Sequence, residues 1–183
     1  MLYQTLCDNI YDWLMMATGT DEDDKPIVDW NEGDQPLIEP IPENLPAYGF
    51  YRVMSIENKD MGAIAQQYNS ENDNFDLISY DYQSAQVTLD IYTTLPVTGT
   101  GNPLTPHDIA NTIYTFANTS QSIEYLQQKN MGYLKRTQAI SQVWTNGGVN
   151  VRKIQFDIIF SVIATSQTTV ERIVTAPVTP HVT

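Results

Sequence analysis

The chain has 183 residues, of which 42% are hydrophobic, and its 22 acidic groups against nine basic ones leave a formal charge of −13. That fits one domain with a sizeable core and disfavours a role that depends on gripping a phosphate backbone. The single cysteine, Cys7, excludes an internal disulfide and a cysteine metal cage. Met1 is followed by Leu-Tyr-Gln with no basic residue before Lys25, and no apolar run approaches roughly 18 residues, so neither a secretory leader nor a membrane span is expected.

Leu2, Leu6, Ile10, Trp13, Leu14 and Ala17 recur at helical spacing and Gly19 stops the pattern, which predicts an amphipathic N-terminal helix. From Thr20 to Ala47 the chain turns acidic and proline-rich, with Asp21-Glu22-Asp23-Asp24 followed by Pro26, Pro36, Pro40, Pro42 and Pro46. Proline withholds a backbone donor and fixes one dihedral, so residues 20–47 are predicted to form an extended surface loop. Tyr48 to Ile56 alternates as a strand with Phe50, Met54 and Ile56 on one face. Lys59 to Asn74 reads as irregular and Phe75 to Tyr82 as a short strand. A turn at Ser84 leads into Gln86–Thr94, where Val87, Leu89 and Ile91 alternate against Thr88, Asp90 and Tyr92.

After a loop at Pro96–Leu104, Thr105 as N-cap, Pro106 at the first helical position and Asp108 near the positive dipole end start a helical part that runs to about Lys129. Ile109, Ile113 and Phe116 face inward, and Asn118–Ser120 reads as a break. Ile123, Leu126 and Gly132 then predict a second short helix that ends before Tyr133. The closing segment is a hairpin: Gln138–Thr145, a turn at Asn146-Gly147-Gly148, and a long strand Val149–Ala164. In that strand Ile154, Phe156, Ile158, Phe160 and Val162 share one face against Lys153, Gln155 and Asp157. Val170–Val174 is expected to add a last turn or strand, and 175–183 an extended tail. The fold class is therefore α+β, one domain over 1–183, with a mainly antiparallel sheet.

Chemistry is sparse. Asp21, Asp23, Asp29 and Glu32 fall at positions 1, 3, 9 and 12 of a calcium loop, but Lys25 replaces an oxygen ligand and Pro26 the turn glycine. Gly99-Thr-Gly101 lacks the third glycine of a dinucleotide turn, because Leu104 stands there and Pro103 removes a donor. His107 and His181, the two histidines, lie far apart in the chain, and Cys7 has no basic neighbour in sequence to activate it. Asn118-Thr-Ser is a sequon without a leader to give it meaning. No catalytic, cofactor-binding or metal-binding residue is assigned, and no enzyme activity or cofactor is expected.

Charge is divided along the chain: residues 1–90 hold 18 of the 22 acidic and three of the nine basic groups. The basic groups cluster as Lys135-Arg136 and Arg152-Lys153. With Asp21, Asp23 and Asp24 they form candidate subunit-interface residues for head-to-tail docking of one copy on the next. Tyr48, Tyr51, Tyr80, Tyr82 and Tyr92 suit half-buried sheet faces or interfaces.

Gln86–Ala164 resembles the tail terminator or neck proteins of long-tailed bacteriophages. The similarity lies in the strand Val87-Thr-Leu-Asp-Ile-Tyr92, the helix with Ala110, Ile113 and Phe116, then Tyr125-Leu126, Met131-Gly132 and the strand Arg152–Phe160. Upstream, Pro46-Ala-Tyr-Gly-Phe-Tyr-Arg-Val resembles the strand that follows their N-terminal helix. The segment Thr20–Pro46 and the Pro96–Pro103 loop depart from the pattern. The resemblance implies a sheet covered by helices on one face, assembled as a hexameric ring that caps the tail tube and joins it to the head connector. It also implies DNA passing through without specific binding, a place in the virion neck or tail, and assembly in the host cytoplasm. A small α+β ligand-binding or enzymatic domain using the Pro96–Leu104 loop, and another virion part such as head closure or baseplate, remain open as alternatives.

Overall fold

The computed structural model describes residues 3–33, 47–59, 62–70, 74–94, 104–146 and 149–170. The first helix, α1 (Tyr3–Thr18), turns Leu6, Cys7, Ile10, Trp13, Leu14 and Ala17 onto one buried stripe. Gly19 ends it at φ +69°, where a side chain would be strained, and its N–H donates to the Met15 carbonyl at 2.9 Å.

Among the described residues, seven strands form one mixed, mostly antiparallel sheet. β1 (Asp29–Glu32) runs parallel to β2 (Tyr48–Asn58), β2 antiparallel to β4 (Asn74–Thr94), and β4 antiparallel to β7 (Val149–Val170). β3 (Ala63–Asn69) pairs with β4 beyond the end of β2. On the other side, β5 (Met131–Arg136) and β6 (Ile140–Asn146) share the outer edge of β7. Between β4 and β5 in sequence come α2 (Pro106–Ala117) and α3 (Ser120–Gln128). Thr105 and Asp108 close a reciprocal capping box at the start of α2, and Thr119 caps α3 by accepting from the Ser122 N–H at 3.2 Å.

The apolar phase of the strands and the inner stripes of all three helices make one core: Val87, Leu89 and Ile91 of β4, and Ile154, Phe156, Ile158, Phe160 and Val162 of β7, with α1, α2 and α3 above them. Trp13 sits at its centre. Its ring meets Phe160 edge-on at 5.3 Å and Phe116 at 5.7 Å, and its indole N–H donates to Ser122 Oγ at 2.8 Å, so no polar atom of this buried ring is left unsatisfied. Trp30 of β1 lies flat on Gly49 of β2, where a Cβ would fall inside the indole. The opposite sheet face carries a smaller cluster of Tyr48, Tyr92, Val151 and Phe50.

Several predicted elements differ in the structure. There is no turn at Ser84: β4 is continuous, and Ser84 is buried opposite Ser161. The irregular stretch contains β3, whose Ala-Ile-Ala-Gln-Gln-Tyr-Asn has no alternation to betray it because it is exposed on both faces. The second helix stops at Gln128, and Asn130, at φ +55°, turns the chain into β5, so Gly132 is a strand residue beneath Ser161. The acidic segment contributes β1, residues 34–46 of it lying outside the description. On β2 the core-facing residues are Tyr51 and Val53, Phe50 lies on the opposite face, and Met54, at a bulge between Val53 and Ser55, and Ile56 beyond it are exposed. β7 continues past Ala164 to Val170. The turn residues 147–148, the 175–183 tail and all of the Pro96–Leu104 loop except Leu104 lie outside the described residues.

β4 and β7 pair without a break from Phe75↔Val170 to Thr94↔Val151. Their distal halves, with β3, make a three-stranded ribbon that supplies no residue to the helix-covered core. Its one buried carboxylate, Asp76, accepts from Thr169 Oγ1 at 2.9 Å and Asn69 Nδ2 at 3.4 Å, tying the three strands together.

Candidate functional site

The sequence-derived interface residues fall on two separate parts of the sheet. Asp21, Asp23 and Asp24 share one tight turn leading into β1. Asp21 Oδ1 accepts from the N–H groups of Asp23 and Lys25, both at 2.9 Å, Lys25 Nζ lies 3.3 Å from Asp23 Oδ2, and Asp24 takes φ +60°. These carboxylates organise their own loop. Among the described residues no group of three His, Cys, Asp or Glu side chains converges to hold a metal ion.

Lys135 and Arg136 end β5 on the opposite side of the sheet. Lys135 is exposed, and the Arg136 guanidinium stacks over Tyr114 at 4.1 Å, which fixes its direction. Arg152 is half-buried beside Val143 of β6. Lys153 is different. Its Nζ lies 3.0 Å from Asp90 Oδ1 on the inner strand β4, while Arg52 Nη2 sits 3.3 Å from Asp90 Oδ2. Burial works against the charge of Lys153, but the Asp90 carboxylate and the Tyr92 hydroxyl outweigh it and lift its pKa above the ordinary lysine value. Arg152 and Lys153, adjacent in sequence, point to opposite faces, and Lys153 finds its counter-charge within its own chain.

Sequence reasoning missed Asp90 and Arg52. The signal was present in the alternation that places Asp90 with Thr88 on the polar phase of β4. What was lacking was the register Asp90↔Gln155, which brings Lys153 alongside. The same polar face holds Asp157, which accepts from Gln86 Nε2 at 2.8 Å and Thr88 Oγ1 at 2.7 Å.

Groups with reactive chemistry are scattered. Burial and the nearby Glu32 push the Cys7 thiol up to about 11, which keeps it protonated and inert at neutral pH. His107 is exposed at the start of α2. An open cleft of about 330 Å³ between α2, α3 and β5 is lined by apolar Ala117, Ile123, Leu126 and Met131 together with polar Asn118, Gln127 and Tyr133, without an acid–base pair.

The structure is thus an α+β fold with sheet edges of opposite charge and a long central ladder, on which no reactive groups converge among the described residues. Over residues 4–183 the chain matches the family model described as phage neck terminator protein, and it belongs to that family. It is thus a structural component of the virion at the neck, acting through contacts with other tail and head proteins. No curated protein matches the chain. No helix among the described residues is long and apolar enough to cross a membrane.

Proposed function

We propose that the chain is the subunit of a closed head-to-tail ring, six-membered as in the resemblance drawn from its sequence. The ring caps the completed tail tube and joins it to the head connector, with DNA passing through. The observation that carries this reading is the opposite charge at the two sides of one open sheet: the Asp21–Asp24 turn before β1, and Lys135 and Arg136 at the end of β5. A surface with complementary, non-identical sides favours heterologous contact, and such contacts close when the rotation between copies closes. Exposed charges of this kind set orientation and association rate more than affinity. Arg152 joins the basic side, whereas Lys153 does not, since Asp90 neutralises it. An acidic protein suits a DNA channel, because few cations are available to release counterions from phosphate.

Light scattering on the purified chain tests the ring. A discrete oligomer that shrinks in the K135E/R136E double variant, with unchanged circular dichroism, is the expected result. Tight, salt-sensitive duplex binding by a monomer would overturn the reading, as would normal joined particles from a phage lacking the gene.

A further inference from the structure

The distal ribbon has two outer edges. One belongs to β3 over Ala63–Gln67, the other to β7 over Thr165–Thr169, and neither has a strand neighbour among the described residues. Unpaired strand edges in soluble proteins are normally guarded by lysine, proline, charge, a bulge or shortness. Two other edges of this sheet follow that practice: β1 is short and carries Asp29 and Glu32, and β5 carries Lys135, Arg136 and a bulge, whereas β6 has neither charge nor proline. The ribbon edges carry none of these devices. Ala63–Gln67 and Thr165–Thr169 contain no charge and no proline, and Ile64 is 72% exposed.

The two edges also stand at the same height. Ala63 is opposite Tyr80, which is opposite Thr165, and the correspondence runs unbroken to Gln67, Asp76 and Thr169. Both strands are antiparallel to β4 and hence parallel to each other. A copy rotated about an axis along the strands therefore brings its β7 edge beside the β3 edge of its neighbour with no shift along that axis. That is the condition for closure instead of a helical filament. The Asp76 clamp holds the three strands together where no helix covers them, so the ribbon presents its edges already formed.

Building on the ring reading, we propose that the β3 edge (Ala63–Gln67) of each copy takes the β7 edge (Thr165–Thr169) of the next by parallel strand addition. The ribbons of the ring then form one continuous sheet.

Cysteines placed level with each other test this. In Ala65→Cys/Gln167→Cys the two positions lie two strand spacings apart within a chain, about 9–10 Å, and one spacing apart, about 4.8 Å, across the proposed junction. Only the second distance suits a disulfide, whose Cα separation is about 4.4–6.8 Å. Ile64→Cys/Ser166→Cys is an independent pair on the other ribbon face, and all four positions are exposed or at the exposed edge. Under mild oxidation of the purified chain and of particles carrying the variant, most of the protein is expected to move from the monomer band into a covalent ladder that ends at a closed species. Each variant with one introduced cysteine, whose other thiol is the buried Cys7, should stop at dimer or remain monomeric. A discrete ring without the ladder in either pair overturns the strand addition and leaves the ring standing. Chains that stay monomeric in solution and in particles overturn both. Crosslinks that appear only after removal of residues 171–183 would show that the chain's own end occupies an edge, which also overturns the proposal.

Discussion

β4 and β7 are the same two strands in two settings. Over Ala85–Ile91 and Ile154–Val162 their inward side chains are almost wholly removed from water beneath α1, α2 and α3. Over Asn74–Tyr80 and Thr165–Thr169 the ladder continues in register, but Phe75, Leu77 and Ile78 are only half-buried, Thr165–Thr169 are exposed and the one buried group is Asp76. A ladder hydrogen bond contributes a net ~0.5–1.5 kcal/mol, while burying a large apolar side chain contributes about 1.5–3 kcal/mol. The first half therefore supplies the stability and the second inherits its order from it. Beyond the core the sheet depends on the ladder and the Asp76 hydrogen bonds for its order.

The sharpest break of this contrast is a cavity in the first half. Phe156→Ala or Ile158→Ala should cost about 2–5 kcal/mol, whereas Ile64→Ala on the ribbon should change stability by under about 0.5 kcal/mol. Urea midpoints compare them directly, and equal losses would show that the ribbon belongs to the core.

Asp90 comes next. Asp90→Asn leaves Lys153 and Arg52 without their shared carboxylate, at a cost of about 2 kcal/mol, below the range for fully buried pairs because Arg52 is partly exposed. Lys153 has a raised pKa when folded, so its contribution is complete below the ordinary lysine value and fades as pH climbs through the folded one. Burial likewise raises Tyr51 and Tyr92, and burial with the nearby Asp12 carries Tyr125 to about 12. These hydroxyls stay protonated in the fold while an unfolded chain ionises above the ordinary tyrosine value of about 10, so they pull in the same direction. Thermal stability should hold to about pH 10 and fall beyond it. In Asp90→Asn the neutral plateau is lower and the alkaline fall shallower.

Asp76→Ala tests the clamp and has a smaller global effect, about 1 kcal/mol. Its main result should be local: faster amide exchange in β3 and distal β7, with the core amides unchanged. The smallest effect is reserved for Gln155→Ala, on the polar phase of β7, at under about 0.5 kcal/mol. A loss there as large as at Ile158 would contradict the register of the whole ladder.

Much of the first half was legible in the sequence because burial writes itself as periodicity. The stripe of α1, the Thr105–Asp108 cap and the phase of Ile154–Val162 all stand where the pattern placed them. The ribbon was illegible for the complementary reason. β3 has no inside face, and polar Gln83 and Ser84 in mid-strand imitate a turn although the ladder runs straight through them. At β5 the helix pattern was extended too far, since Met131 and Gly132 fit either element and only the positive φ of Asn130 decides. The pairing of Lys153 with Asp90 leaves no trace in the sequence, because the two become neighbours only once the strands are aligned.

The position of β7 in the sequence bears on how the molecule comes into being on the ribosome. β7 is the last of the described strands to be synthesised, yet it occupies the middle of the sheet between β4 and the β5–β6 pair. Until it emerges, β4 exposes one whole flank, and Trp13 lacks the Phe160 ring that completes its surroundings. The early chain is thus a nascent species with an apolar flank, dependent on contacts distant in sequence, which makes for slow folding and a window of aggregation during translation. The first 90 residues hold 18 of the 22 carboxylate side chains, and like charge of that density opposes association between such half-made chains.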